Sequence, residues 1–228
     1  MNKTSEIKFV RTYNIAQWLR NEVIENDPNE FLLEFFEITD FFKQVALKPQ
    51  KYSLLHYFIN EKTYLGFEYE ARKWPDFNEW NEMTSKHLNL QIDESKFNED
   101  AEYREELERK ISQLILPKIS DEVFYLLFND REFLYYFNLL IAKKVKNLLK
   151  EDYPDLLKKD GVVFRVTYWP KWLIKAIFYR DKGTCCNCFK DISGLLNTNN
   201  IIHLDHIIPL NQGGINDTTN IQLLCSDC

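Results

Sequence analysis

Apolar and polar positions recur with a helical period over much of the first 160 residues. Between 29 and 47, the apolar positions 31, 32, 35, 38, 42, 45 and 46 share one face of a helix. Segments 101–116 and 131–150 repeat the pattern, with Pro117 and the pair Asn129-Asp130 as breaks. The Phe and Tyr residues in these stripes are typical of a core, and a groove for a partner is the alternative. The pattern predicts a mainly α protein that begins with a helical domain.

The pattern changes after about residue 150. Residues 151–161, EDYPDLLKKDG, have the composition of a connector, and 162–167, VVFRVT, form a short β-prone run. A further helix is predicted from Pro170, which suits the first helical position, to just before Gly183, which suits a helix end. We therefore predict two domains, a helical and aromatic-rich one over residues 1–160 and a C-terminal module over 161–228.

Composition and charge narrow the class of protein. The 228 residues are 45% hydrophobic and 28% charged, which fits a globular rather than a disordered chain. The net charge is −6, but residues 141–182 carry 11 basic and 5 acidic side chains, so any contact with a polyanion is expected to be local. The N-terminus lacks an apolar signal region, and 133–142 is too short to cross a bilayer. We expect a cytoplasmic protein with no membrane contact.

All five cysteines lie in the last 44 residues. Cys185 and Cys188 form one CxxC pair, and Cys225 and Cys228 form a second. Two such pairs can complete a tetrahedral four-sulfur zinc site, which has no open position and is therefore structural rather than catalytic. Free or redox-active cysteines are the alternative. Cys186 lies outside both pairs and is not expected to bind the metal.

The residues between the two pairs resemble the HNH endonuclease family, in particular its zinc-bound branch related to modification-dependent restriction enzymes. The matching elements are the first CxxC, LDHIIPL (204–210), Gly213-Gly214, Asn220 and QLLCSDC (222–228). The resemblance covers about residues 180–228. It implies a β-hairpin followed by a helix, with a catalytic divalent ion between them.

The chemistry of the central residues agrees with this resemblance. Asp205 offers a hard oxygen ligand for Mg²⁺ or Mn²⁺, and His206 offers a base whose ordinary pKa is about 6.5. If both lie at the end of a strand, their side chains point to opposite faces, so that one can hold metal while the other addresses a water. The family resemblance implies these same roles. It also implies that Asn220 braces the loop carrying the histidine, where the alternative is an ordinary turn asparagine.

Other polar residues nearby are weaker candidates. His203 shares a strand face with Asp205 and is a candidate for phosphate contact, although an exposed strand histidine without a role is the simpler interpretation. Arg180, Lys182 and Lys190 flank the first CxxC and are further candidate phosphate contacts, although surface cations of this kind are common. Gly213 and Gly214 are expected to give the loop backbone angles closed to other residues.

The family's helix and its third catalytic residue normally follow the last cysteine, but the sequence stops at Cys228. The expected fold is thus a helical domain joined to a zinc-stapled ββα-metal module whose final helix is missing. Truncation, a substitute ligand and a degenerate site are the three explanations. We favour a longer natural protein and expect weak or absent cleavage by this chain.

Two functions from different classes remain open. The first is a metal-dependent HNH endonuclease that hydrolyses DNA, with RNA not excluded, in a bacterial restriction or anti-phage setting. Its helical N-terminal domain would then dock a protein partner or position the substrate. The second is a catalytically incomplete, zinc-stapled interaction module that acts with a protein partner. Asp205 and His206 separate the two, because a structural zinc site requires neither residue.

Overall fold

The computed structural model describes residues 10–25, 36–73, 75–194 and 202–228, and these are mainly helical. The helices are Val10–Ile24 (α1), Asp40–Leu47 (α2), Leu54–Lys73 (α3), Phe77–Leu88 (α4), Glu94–Glu99 (α5), Ala101–Lys110 (α6), Leu116–Phe128 (α7), Arg131–Lys146 (α8) and Lys171–Arg180 (α9). The mainly α prediction is confirmed. No helix in the described part of the chain is long and apolar enough to cross a membrane.

Aspartate caps set several helix starts. Asp76, Asp93, Asp100 and Asp130 each accept a hydrogen bond from a backbone N–H in the first turn of the helix that follows. Such a bond satisfies one of the amides that a helix N-terminus leaves without a partner. The predicted break at Asn129-Asp130 is confirmed, because Asp130 ends one helix region and starts α8.

The predicted break at Pro117 is wrong. Pro117 is the second residue of α7, and the chain reaches it from α6 through a π-helical turn at Ile111–Ile115. A proline removes one backbone donor and crowds the carbonyl four residues earlier, which ordinarily ends a helix. The wider turn directly before it changes that bonding pattern, so the helical course continues.

The other predicted elements are found with shifted ends. The periodic segment 29–47 yields α2, which starts at Asp40; residues 29–35 of that segment lie outside the described residues. Of the β-prone run 162–167, only Val162–Val163 (β2) pairs, with Leu157–Lys159 (β1). The helix predicted after Pro170 is α9, and Gly183 beyond it has a φ of +60°.

The chain divides into two compact units. The first comprises Met1–Leu19 and His56–Leu126, and the second comprises Arg20–Leu55 and Leu127–Cys228. In the first unit, the Trp80 ring packs between Phe67 and Phe97, with ring centroids 5.0 and 5.6 Å away. The domain boundary predicted at residue 160 stays a prediction.

The second unit has a helical core next to a small antiparallel hairpin. Phe36, Phe133 and Phe137 are fully buried, and the last two rings stack at 5.7 Å. The hairpin consists of His203–His206 (β3) and Ile221–Leu224 (β4), with His203 opposite Leu224 and His206 opposite Ile221. These are the two strands of the predicted module, and its ββα description beyond them stays a prediction.

Candidate functional site

The four cysteines of the two CxxC pairs meet in space. The Sγ atoms of Cys185, Cys188, Cys225 and Cys228 all lie within 4.8 Å of one another. A backbone hydrogen bond of 2.9 Å from Cys186 N to Leu223 O fixes the first pair beside β4, whose end leads into the second pair. Within the described ranges, no other group of three or more His, Cys, Asp or Glu side chains is close enough to hold a metal ion. The cluster could hold a metal such as zinc.

Asp181 is a buried anchor directly before the first cysteine pair. It accepts two hydrogen bonds from Arg180, at 2.9 and 3.0 Å, and a third from Leu223 N at 2.9 Å. The Cys186 thiol donates to the same carboxylate at 3.2 Å. Burial alone raises the pKa of Asp181, but the guanidinium of Arg180 and these donors outweigh it and lower the pKa overall.

Arg180 and Cys186 therefore have structural positions. The Arg180 side chain is 2% exposed, donates to Ile221 O at 2.6 Å and lies over the Phe128 ring. In this arrangement it does not face a phosphate, contrary to the expectation for Arg180. Cys186 lies outside the metal cluster, as expected, and burial together with the charge of Asp181 raises its pKa to about 11.

The hairpin separates Asp205 and His206. Asp205 is exposed on β3 opposite Gln222, and no cation pairs with it among the described residues. His203 is exposed two positions earlier, on the same face of the strand. His206, on the other face, is only 5% exposed. The side chains of Asp205 and His206 therefore point to opposite faces of the hairpin, as predicted.

His206 lies in a pocket of fixed neighbours. Its Nε2 is 3.1 Å from Oδ1 of Asn216, and its ring lies 5.6 Å from the Trp169 ring, centroid to centroid. Burial lowers its pKa, and the nearby charge of Arg165 acts in the same direction, while Asn216 and Asp205 oppose them. The net pKa is lowered, so the imidazole is neutral at pH 7 and can accept a proton.

Asn220 is fully buried, and its side-chain amide forms hydrogen bonds with backbone groups. Its Nδ2 donates to Ile208 O at 3.0 Å and to Ile215 O at 2.8 Å, and its Oδ1 accepts from Ile208 N at 2.8 Å. These bonds close the loop between β3 and β4 directly behind His206. Both ends of the Asn220 amide are thus bound to backbone groups, and its role as a brace stays a prediction.

The glycine pair makes two close backbone contacts. Gly213 has a φ of +94°, and a Cβ there would also overlap the carbonyl of Ala142. A Cβ at Gly214 would overlap the carbonyl oxygen of Ile208. A glycine is therefore required at position 213 for its backbone angle, as expected. At position 214 a glycine is required because there is no space for a Cβ atom.

The loop after the glycines is anchored to a distant part of the chain. Asn216 N donates to Ala46 O at 3.0 Å, and Thr218 Oγ1 donates to Gln50 O at 2.6 Å. Asp217, which is completely buried, accepts from Leu54 N at 3.0 Å. Sequence reasoning missed these residues, although Asp217 followed by two threonines is a typical signal for a capped turn.

Exposed cations lie at two places around the hairpin. Lys182 is exposed with a φ of +56°, and Lys190 pairs with Asp227 at 3.5 Å. Arg165, which sequence reasoning also missed, is exposed and close enough to His206 to affect its pKa. Val166, its neighbour, lies 3.4 Å from Asn216 Oδ1 through its backbone N–H. Of the basic residues named, Arg165 is thus placed beside the candidate base.

Comparison with known proteins finds a family match that covers the cysteine cluster and the hairpin. Residues 184–228 match the family model described as HNH endonuclease. This C-terminal segment is therefore similar to HNH endonucleases. The recognition made from the sequence is confirmed for that part of the chain.

One curated relative is the type IV methyl-directed restriction enzyme EcoKMcrA of Escherichia coli strain K12. The two are 34% identical over 95 residues, which is 40% of this chain and 34% of the relative. The chain thus spans about a third of the length of that relative. No solved structure matches the chain.

Proposed function

We propose that the chain is a metal-dependent endonuclease that hydrolyses phosphodiester bonds of DNA, with His206 as its general base. The observation that carries the proposal is a buried neutral imidazole next to an exposed carboxylate at adjacent positions of β3, where the carboxylate pairs with no cation among the described residues. This pair lies inside the segment that matches the HNH endonuclease family.

His206 takes a proton from the attacking water. Because its pKa is lowered, the ring is in its accepting form at pH 7, and the loop braced by Asn220 fixes its backbone. A correctly placed general base contributes about 10² to 10⁴ in rate. Trp169 lies against the ring and restricts its motion. Water activation by this chain therefore rests on a rigid, neutral imidazole.

Asp205 is the proposed ligand of the catalytic Mg²⁺ or Mn²⁺. Such an ion commonly uses one or two carboxylates together with waters and substrate phosphates, and an exposed carboxylate without a cation partner fits that requirement. When bound, the ion stabilises the charge that develops on the phosphate and the leaving oxygen. Asp205 also places a negative charge near His206, which favours the imidazolium after proton transfer.

Zinc is the proposed occupant of the four-cysteine cluster, and its role is structural. Four sulfur atoms within 4.8 Å of one another suit a closed tetrahedral site. Cys188→Ser should lower the zinc content and the melting temperature together, because binding and folding of such a site are coupled. Cys186→Ser, which alters a cysteine outside the cluster, should retain the zinc. Equal zinc content in both variants would contradict this assignment.

The substrate side of the proposal rests on Arg165 and on the relative. Arg165 is an exposed cation beside His206, where a scissile phosphate has to lie, and Lys182 and His203 are further candidates on the exposed surface. The relative is named as a methyl-directed restriction enzyme, and we propose DNA and a restriction or anti-phage setting on that basis. A protein partner for the helical N-terminal region is part of the same proposal.

The test is nicking of supercoiled plasmid in Mg²⁺ or Mn²⁺, with single-stranded RNA as a second substrate. The wild-type chain, which ends before the family's third catalytic residue, should convert supercoiled DNA to open circles only slowly, and His206→Ala should reduce that rate at least about a hundredfold. His87→Ala, which alters a histidine of α4 in the first unit, is the control and should leave most of the activity. Cleavage that survives His206→Ala would overturn the assignment of the base. Zinc-loaded, folded chain that binds DNA without nicking it would favour the interaction module instead.

A further inference from the structure

The hydrogen bonds around Asn216 determine which way its amide points. Its Nδ2 donates to Ala46 O and to Phe164 O, each at 2.8 Å, so both amide hydrogens have carbonyl acceptors. Its Oδ1 receives the backbone N–H of Val166 at 3.4 Å. A flipped amide would place its oxygen against two carbonyls and its nitrogen against an N–H. The orientation is therefore fixed by three polar neighbours rather than chosen freely.

This orientation has a consequence for His206. Oδ1 of Asn216 can only accept, and it lies 3.1 Å from His206 Nε2. A neutral imidazole carries one N–H, so Nε2 has to hold it to make this bond. Nδ1 then keeps its lone pair, and no hydrogen-bond partner of Nδ1 is found in the described part of the chain. Both residues are buried, which makes the opposite tautomer costly because Nε2 and Oδ1 would face each other as two acceptors.

We infer that Asn216 is a positioning residue that holds His206 as the Nε2–H tautomer and so makes Nδ1 the proton-accepting atom. The inference rests on the proposed function only for the role of Nδ1 as a base; the tautomer itself follows from the hydrogen bonds. Two of the groups that orient Asn216, Ala46 and Phe164, lie outside the residues 184–228 that match the family. The accepting atom of the base is thus set from outside the nuclease segment.

The decisive measurement is the tautomer of His206 by NMR of zinc-loaded, ¹⁵N-histidine-labelled chain at neutral pH. The chain has four histidines, so the spectrum of His206→Ala assigns the resonances. We expect His206 with a protonated Nε2 and an unprotonated Nδ1. A protonated Nδ1, or a mixture of both tautomers, in the natural chain would overturn the inference whatever the activity.

Asn216→Leu should turn the single tautomer into a mixture. The matched control is Asn138→Leu, because Asn138 is also buried and also donates from Nδ2 to two carbonyls, Leu134 O at 2.8 Å and Thr219 O at 3.1 Å. Both variants lose stability, but only Asn216→Leu should change the His206 spectrum. If Asn138→Leu changed it equally, or Asn216→Leu left it intact, the effect would be general loosening and the inference would fail.

The kinetic readout separates this inference from the proposed function. In plasmid nicking, Asn216→Leu should lower kcat about tenfold or more and leave KM nearly unchanged, because the substituted residue does not touch substrate. Asn138→Leu should retain most of kcat. If the wild-type chain has the expected tautomer but cleaves neither DNA nor RNA, the proposed nuclease function is contradicted. The assignment of the tautomer from the hydrogen bonds would still hold.

Discussion

Asp181→Asn should destabilise the second unit strongly while changing one functional group. The substitution leaves the Arg180 guanidinium, 2% exposed, without its counter-charge. Removing one partner of a buried ion pair costs about 3 to 5 kcal/mol, because the remaining charge stays desolvated. That is a large fraction of the roughly 5 to 15 kcal/mol that stabilise a domain. Arg131, 3.4 Å from Asp181 and 38% exposed, adds little because water screens it.

The assay is urea unfolding of zinc-loaded protein, followed by circular dichroism and by tryptophan fluorescence. With a slope of about 1 to 3 kcal/mol per molar urea, the expected loss moves the midpoint by about 2 M. Asp227→Asn is the matched control, since Asp227 pairs with Lys190 at 3.5 Å and is 75% exposed. An exposed pair of this kind contributes below about 1 kcal/mol.

A double substitution tests the cause of the loss. Arg180→Met with Asp181→Leu removes both charges, so it should recover part of the stability lost in Asp181→Asn. Recovery remains incomplete, because Leu223 N and Ile221 O lose their partners. If Asp181→Asn cost no more than Asp227→Asn, or if the double variant were the least stable of the three, the pair would not be a desolvated anchor.

Three further predictions concern two glycine substitutions, the pH dependence of stability through His56, and the substitution Arg165→Ala. Gly214→Ala should lower Tm because its Cβ meets the carbonyl of Ile208. Gly66→Ala on α3, whose Cβ would make only an ordinary van der Waals contact with Trp18, should raise stability by up to about 1 kcal/mol. Equal Tm shifts in the two variants would contradict this. Burial lowers the pKa of His56 to about 4, so the unfolded chain binds more protons between pH 6.5 and 4. The stability that the neutral His56 contributes is complete above pH 6.5 and disappears toward pH 4. In urea titrations between pH 7 and pH 4, the free energy of unfolding of the wild type should therefore fall by about 1 to 2 kcal/mol more than that of His56→Asn. The absence of this difference would refute the assignment of a lowered pKa to His56. Arg165→Ala should weaken DNA binding and reduce the slope of log K against log salt by about 0.9, and an unchanged slope would exclude a phosphate contact.

Local patterns predicted those parts of the fold that depend on local interactions. Helical periodicity located most of α2 and α8, and the pair Asn129-Asp130 marked the break before α8. The cysteine spacing predicted the cluster, because a CxxC pair brings two sulfurs together whatever the rest of the chain does. Pro117 was misjudged because a π-helical turn before it cannot be read from propensity.

The roles of single polar residues depended on contacts that the sequence does not display. Arg180 has the composition and position of a surface cation beside a cysteine pair, and only the fold shows that it is buried against Asp181. Asn216 has no local partner that distinguishes it from a turn asparagine. The orientation of its side-chain amide depends on a hydrogen bond to Ala46, 170 positions away, which no spacing rule connects to it.

These long-range contacts hold the loop of the HNH-like segment in place. The loop from Gly213 to Asn220 packs against Ala142, accepts or donates hydrogen bonds at Ala46, Gln50 and Leu54, and contains buried groups that water does not reach. Each buried polar group that loses its partner costs about 1 to 3 kcal/mol. A cut at residue 160 would remove every one of those partners together. The helical region that precedes the HNH-like segment is therefore part of the structure that fixes the candidate base His206.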